Sequence, residues 1–309
     1  MPPEDLTGRT IASYRLLEQV GEGGTATVYR AEHQEIGECA VKVLRQRSRS
    51  DPTAVKRFLR EAGYGSRVEH EAVVRTYDFG EVDGLYYLAL EWVTGRPLTE
   101  FAAASLDPQT VAHIVSQLAG GLAAAHAAGI IHRDLKPENI IYDPETKRTK
   151  LLDFGIARDS QEDPAERLTR TGFFVGSLNY VAPEALSGEL VDESADIYSL
   201  ATIAYYLLSG QHPHGGRSPR EVFQQLLTQP PTPLRETARG ARVSRNVEAL
   251  IMKSLARNPK ERHPDVLAFA AELSASAAAS DQEPGSQTGE TEPRPGVFGS
   301  LRSLFGRKK

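Results

Sequence analysis

Residues 194–210, SADIYSLATIAYYLLSG, are apolar nearly all the way round a helix, and this constrains the fold more than any other stretch of the chain. A surface helix keeps one polar face, so a helix of this composition has to be enclosed by other elements. It is shorter than the roughly 18 apolar residues that cross a bilayer, which leaves burial inside a helical body. With 40% hydrophobic residues among 309, the chain has apolar material for such a body and for a second lobe beside it.

The periodicity changes at Pro97. Before it, short β-like runs are broken by glycine: YRLLEQVG from Tyr14, TATVYRAEH, ECAVKVL, VVRTYDFG and LYYLALEWV. These predict a small antiparallel sheet. Between the third and fourth runs, Val55, Phe58, Leu59 and Ala62 recur at helical spacing, with Asp51-Pro52 as cap and first turn. After Pro97 the patterns are long and helical, as in Val111, Ile114, Val115, Leu118 and Leu122, which stop at Gly129. The expected fold class is α+β, with an antiparallel-sheet lobe carrying one helix over about 14–92 and a larger, mainly helical lobe over about 97–274. Residues 1–13 read as an N-terminal extension. Residues 275–296, rich in Ala, Ser, Gly, Pro and Glu, read as a disordered linker, and 297–309 as a short basic amphipathic tail.

Charge narrows the choice of partners. Lys and Arg total 36 against 41 Asp and Glu, a net charge of -5, so no overall positive field draws the chain to nucleic acid. The single cysteine, Cys39, permits no intramolecular disulfide and suits a reducing compartment. The opening MPPEDLTGRT has neither a basic nor an apolar leader region, so a cytoplasmic location is expected. Val297, Phe298, Leu301, Leu304 and Phe305 fall on one helical face beside Arg302, Arg307, Lys308 and Lys309. That tail suits peripheral contact with a membrane surface or a partner protein. A passive, solvated tail is the alternative.

Several segments carry chemistry. Gly21-Glu22-Gly23-Gly24 lies between two β-like runs, where bare backbone could approach phosphates; an ordinary hairpin turn reads the same way. Lys42 stands alone in the apolar strand Cys39–Val43, on the face of Ala40 and opposite Cys39 and Val41. It is either a solvated lysine or one met by an anion, for which Glu61 on the helix's inward flank is the natural partner. Then follow His132-Arg133-Asp134-Leu135-Lys136-Pro137-Glu138-Asn139, Asp153-Phe154-Gly155 and Ala182-Pro183-Glu184. Five motifs in this order leave little room for coincidence.

Taken together, residues 14–274 resemble the bacterial eukaryotic-like Ser/Thr protein kinases. The resemblance implies the two-lobed protein-kinase fold with ATP in the cleft. Gly21, Glu22, Gly23 and Gly24 would cover the phosphates, while Val28, Ala40 and Ile141 would sandwich adenine. Glu91 and Val93 would offer hinge backbone groups, with Leu90 as gatekeeper. Lys42, held by Glu61, would contact the α- and β-phosphates. Asp134 would accept the proton of a substrate hydroxyl, and Lys136 would stand beside the transferring phosphate, which favours Ser/Thr over Tyr. Asn139 and Asp153 would hold Mg2+, with Mn2+ as a second choice. Glu184, Asp196 and Arg262 would anchor the helical lobe without doing chemistry. The implied partners are proteins bearing Ser or Thr, including a second copy met transiently in trans. Thr169 and Thr171 occupy the place of paired autophosphorylation sites whose phosphate would engage Arg133.

The resemblance leaves two other readings: a pseudokinase-like nucleotide-binding scaffold, which loss of Lys42, Asp134 or Asp153 would have favoured, and a small-molecule kinase. Departures from the pattern are small: Ala26 replaces a glycine, Thr25 an apolar residue, and His70-Glu71 a His-Pro pair. Gly63 and Gly65 matter more, because each weakens the helix that carries Glu61. The expectation is that docking of this helix depends on loop phosphorylation or N-lobe self-association, and that alanine at Gly63 and Gly65 raises basal activity if these sites are exposed. A glycine required for close packing is the competing account.

Overall fold

The computed structural model describes residues 5–104, 106–153, 178–187 and 191–280. Thr169, Thr171 and the tail from 297 lie outside the described residues.

Six strands form one antiparallel sheet: β1 (Thr10–Ile11), β2 (Tyr14–Glu22), β3 (Ala26–His33), β4 (Gly37–Leu44), β5 (Thr76–Val82) and β6 (Leu85–Glu91), in the spatial order β1-β2-β3-β4-β6-β5. Between β5 and β6 the chain turns through Asp83 and Gly84, both left-handed at φ 51° and 74°, which matches a two-residue hairpin to the strand twist. Side-chain alternation divides the sheet. Leu16, Tyr29, Cys39, Val41, Val43 and Ala89 pack on one face, while Ala26, Leu44, Leu88 and Leu90 face the other.

The N-terminal residues are part of this lobe and not an appendage to it. Leu6 and Ile11 are 2% and 1% exposed and close the outer face of the sheet, and the Leu6 N–H donates to Tyr29 Oη at 3.3 Å. The opposite face takes α2 (Pro52–Gly65), which follows the short α1 (Gln46–Arg49). Asp51 caps α2 by accepting from Thr53 N at 2.9 Å, and Phe58 and Ala62 bury against Leu88 and Leu90.

The second lobe is built on α3 (Pro108–Ala127), α4 (Glu184–Ser187), α5 (Ser194–Ser209), α6 (Pro219–Thr228), α7 (Arg245–Ser254) and α8 (Val266–Ser280). As the composition requires, α5 is the centre: 14 of its 16 residues are buried, and α3, α7 and α8 pack round it. Its hydroxyls tolerate this because Ser199, Thr202 and Ser209 donate to carbonyls four residues back. The helix α8 extends through the Ala-rich stretch expected to be linker, and Ala277 is 1% exposed in the core. Among the described residues, no helix is long and apolar enough to cross a membrane.

A second sheet, β7 (Arg96–Pro97), β8 (Ile140–Asp143) and β9 (Arg148–Leu151), runs along the junction of the lobes. Its strands are too short for the alternation pattern to reveal. Leu151 N donates to Ala72 O at 2.8 Å and accepts at its own carbonyl from Val74 N at 2.9 Å. The same connecting segment rests on two glycines of α3: a Cβ on Gly120 would lie 2.9 Å from the His70 ring, and one on Gly121 would lie 3.0 Å from Val73 Cγ2. His70 Nδ1 accepts from Ala72 N at 3.0 Å, so the turn at His70-Glu71 closes without proline.

Candidate active site

The site assembles where the two lobes meet. On β4, Lys42 projects to the α2 side, as alternation predicts, and its Nζ lies 2.6 Å from Glu61 Oε1 and 3.1 Å from Asp153 Oδ2. One ammonium thus joins the sheet, the helix and the segment after β9. Burial alone would drive its proton off, but the charges of Asp153 and Glu61 outweigh burial and raise the Lys42 pKa. Burial also pushes Asp153 upward, and Lys42 reverses this, holding its carboxyl below the usual range. Glu61 goes the other way: burial first, then the Asp153 charge, raise it to about 7 against the pull of Lys42.

The second half of the site is the turn His132–Asn139. Arg133 has a left-handed φ of 62°, a strained conformation for a residue with a Cβ and a long side chain, and Asp196 maintains it. The fully buried Asp196 accepts from His132 N at Oδ2 and from Arg133 N at Oδ1, each at 2.9 Å, while His126 Nε2 lies 2.8 Å from Oδ2. Burial keeps His132 uncharged despite the nearby carboxylates of Asp196 and Asp134. Held this way, Asp134 bonds Lys136 Nζ at 2.7 Å. Asn139 is tied to both halves: its Nδ2 donates to Asp134 O at 3.4 Å, and its carbonyl accepts from Leu152 N at 2.8 Å, next to Asp153.

The glycine turn between β2 and β3 is held from outside. Gly23 N donates to Ala26 O at 2.8 Å, Arg45 Nη1 donates to Gly23 O at 3.1 Å, and Arg47 Nη2 donates to Gly24 O at 2.8 Å. Glu22 pairs with Arg45 at 2.6 Å. None of Gly21, Gly23 and Gly24 has a positive φ, and a Cβ on Gly24 would meet nothing within 4 Å. The fold itself therefore places no demand for glycine there. A bare backbone is left for a group approaching from the cleft, which fits a phosphate chain.

The residues expected to sandwich adenine sit on strands of both sheets. Ala40 pairs with Leu90 across the sheet, Val28 with Lys42, and Ile141 with Pro97 at the junction. Ala40 and Val93 pack against the cluster of Leu88 and Leu90. The Glu91 side chain turns to Lys150 Nζ at 2.6 Å and its main-chain N–H donates to Arg75 O at 2.9 Å; the Lys150 pair was not legible in the sequence because β9 was not. Cys39 is fully buried on the other face, its thiol raised to about 11 by burial and then by Glu38, so it is inert.

Comparison with known proteins agrees with this geometry. The protein kinase domain model matches residues 14–271. The chain belongs to the protein kinase family. It is 40% identical over 283 residues to the serine/threonine-protein kinase pkn3 of Myxococcus xanthus, covering 88% of this chain and 51% of that protein. It is 35% identical to the serine/threonine-protein kinase PrkC of Bacillus subtilis, covering 84% of this chain and 40% of that protein. The chain thus spans about half the length, or less, of these relatives. Among solved structures it is similar to the PknI kinase domain of Mycobacterium tuberculosis, with a TM-score of 0.67 and 29% identity over 88% of this chain and 98% of that one. Of the residues expected at the site, Lys42 bonds Glu61 and Asp153, and Asp134 bonds Lys136 and, through its carbonyl, Asn139.

Proposed function

We propose that the chain is an ATP-dependent protein kinase that transfers the γ-phosphoryl group to Ser and Thr hydroxyls of proteins, itself included. The observation that carries this is Lys42 bonded to both Glu61 and Asp153, across the cleft from the Asp134–Lys136 pair. Phosphoryl transfer asks for positioning and charge neutralisation more than for covalent help from the protein. Lys42 meets the α- and β-phosphates under the glycine turn. Asp134 orients the hydroxyl and takes its proton as the oxygen bonds to the γ-phosphorus and the bond to the β–γ bridging oxygen breaks, releasing ADP. Lys136 sits beside Asp134 to offset charge on the phosphoryl oxygens.

Asp153 and Asn139 offer oxygen donors suited to Mg2+, which usually takes one or two protein ligands with phosphate and water completing its shell; Mn2+ suits the same donors. Bound there, the ion would neutralise charge on the phosphates. Regulation follows from Arg133, whose Nε is buried and has no hydrogen-bond partner among the described residues. A phosphate on Thr169 or Thr171, added by a second copy in trans, would give it one.

Peptides identical except for a Ser, Thr or Tyr acceptor, incubated with ATP and magnesium, test the reading. Phosphorylation of the Ser and Thr peptides and not the Tyr peptide, lost in Asp134→Asn, is the expected result. Equal phosphorylation of the Tyr peptide would refute the assigned specificity.

A further inference from the structure

Arg45 and Arg47 follow β4 directly, and both reach the tip of the glycine turn. The Arg45 guanidinium donates to Gly23 O at 3.1 Å, the Arg47 guanidinium to Gly24 O at 2.8 Å, and the Arg45 main-chain N–H to Thr25 O at 2.9 Å. Three successive carbonyls are thus held by one three-residue segment. A turn rich in glycine has no reason of its own to keep one orientation, because glycine has the widest backbone freedom of any residue.

A trans peptide unit is planar, and its C=O and N–H point in opposite directions. Fixing Gly23 O on Arg45 therefore turns the Gly24 N–H the other way, and fixing Gly24 O on Arg47 does the same for the Thr25 N–H. Neither N–H has a hydrogen-bond partner among the described residues. Successive backbone N–H groups left open in this way are a donor pair for an anion. The Glu22 carboxylate, close by in the chain, would repel such an anion, and Arg45 pairs with it at 2.6 Å.

We propose that Arg45 and Arg47 are positioning residues for the nucleotide. They clamp the carbonyl side of the glycine turn so that the N–H groups of Gly24 and Thr25 meet phosphate oxygens, and Arg45 also cancels the Glu22 charge beside them. The inference rests on the nucleotide site proposed above and adds to it a device outside the cleft. Both arginines act through the turn, so the clamp bears on the phosphates and leaves the adenine side of the site unchanged.

The test is calorimetric titration of the full chain with ADP and magnesium and, separately, with adenosine, neither of which carries a phosphoryl group to transfer. Wild type should bind ADP more tightly than adenosine. Arg47→Ala should weaken ADP binding about 3- to 10-fold, the worth of one hydrogen bond, with the affinity for adenosine unchanged. Lys56→Ala, which removes an exposed charge from α2, should weaken neither. A mere loss of positive field would fade as salt shortens the screening length from about 10 Å at about 0.1 M to about 3 Å at about 1 M. An oriented turn predicts instead the same ratio of wild-type to Arg47→Ala affinity at both concentrations. Unchanged ADP affinity in Arg47→Ala, an equal weakening of adenosine, an equal loss in Lys56→Ala, or a ratio that falls to one in high salt would each overturn the clamp and leave the nucleotide site standing. Wild type that binds ADP no more tightly than adenosine would overturn that site and the clamp with it.

Discussion

Gly65 approaches the first residue of β5 so closely that a Cβ would lie 2.8 Å from Thr76 Oγ1, whereas a Cβ on Gly63 would meet nothing within 4 Å. Two glycines in one helix thus have different reasons to be there. Gly65 lets the end of α2 press against the sheet, and Gly63 only weakens the helix that carries Glu61. With α2 docked and the Lys42–Glu61 bond formed, the marginal helix is offset by this packing.

Gly63→Ala should therefore stabilise the protein by up to about 1 kcal/mol and raise basal turnover, whereas Gly65→Ala should do neither. The expected gain was tied to exposed sites, and the close contact with Thr76 takes Gly65 out of that condition. Chemical denaturation and steady-state ATP turnover of the two variants check it; equal gains from both would contradict the packing role.

The Glu61 carboxyl, raised to about 7, predicts an acid limb in the activity. As pH falls through that value Glu61 takes a proton and its charged pair with Lys42 is lost, so kcat/KM for ATP should drop on the acid side. Stability runs the other way. A folded pKa of about 7 against an ordinary 4.5 means that Glu61 favours folding fully below 4.5 and loses that contribution as pH rises through 7. A pH series on wild type and Glu61→Gln separates the cases: the variant should be weakly active without this limb, and a limb of the same pKa in the variant would count against the assignment.

Glu184 and Arg262 form a bidentate pair at 2.6 and 2.8 Å, with side chains 3% and 0% exposed. The Arg262 guanidinium also donates to the carbonyls of Ser194, Ala256 and Arg257, linking α4, α5 and the end of α7. Removing one partner leaves a buried charge, so Arg262→Ala should cost about 3–5 kcal/mol in urea denaturation. A loss below 1 kcal/mol would show that the pair is not structural.

Leu6 fills the outer face of the sheet at 2% exposure. Leu6→Ala should destabilise the protein by about 2–5 kcal/mol, as large-to-small changes in a packed core do. Thermal unfolding of this variant distinguishes a core residue from a dispensable extension, which would show no shift.

Much of this arrangement was legible in the sequence, for identifiable reasons. Lys42 could be placed on one face with Ala40, and Glu61 on the inward flank of its helix, because alternation and helical spacing are strict over those stretches. The all-round apolar α5 announced its own burial. What the sequence concealed depends on contacts between distant segments. β1 has two residues and β9 four, below the length at which a period can be read, and Leu6 is an isolated apolar residue in a polar opening. The Ala-rich continuation of α8 looked like linker because alanine carries little apolar signal, yet a helix facing the core needs only small residues there, as Ala277 shows.

The most direct test of the whole account is transfer itself. Purified chain should be incubated with γ-labelled ATP and magnesium beside Asp134→Asn and Lys42→Met, with phosphosites mapped by mass spectrometry and ATP binding followed through Trp92, the single tryptophan, beside Val93 at the hinge. The account predicts phosphate on Thr169 or Thr171 in the wild type and in neither variant. ATP binding in the wild type with no phosphate transferred to the chain or to any added protein would contradict it.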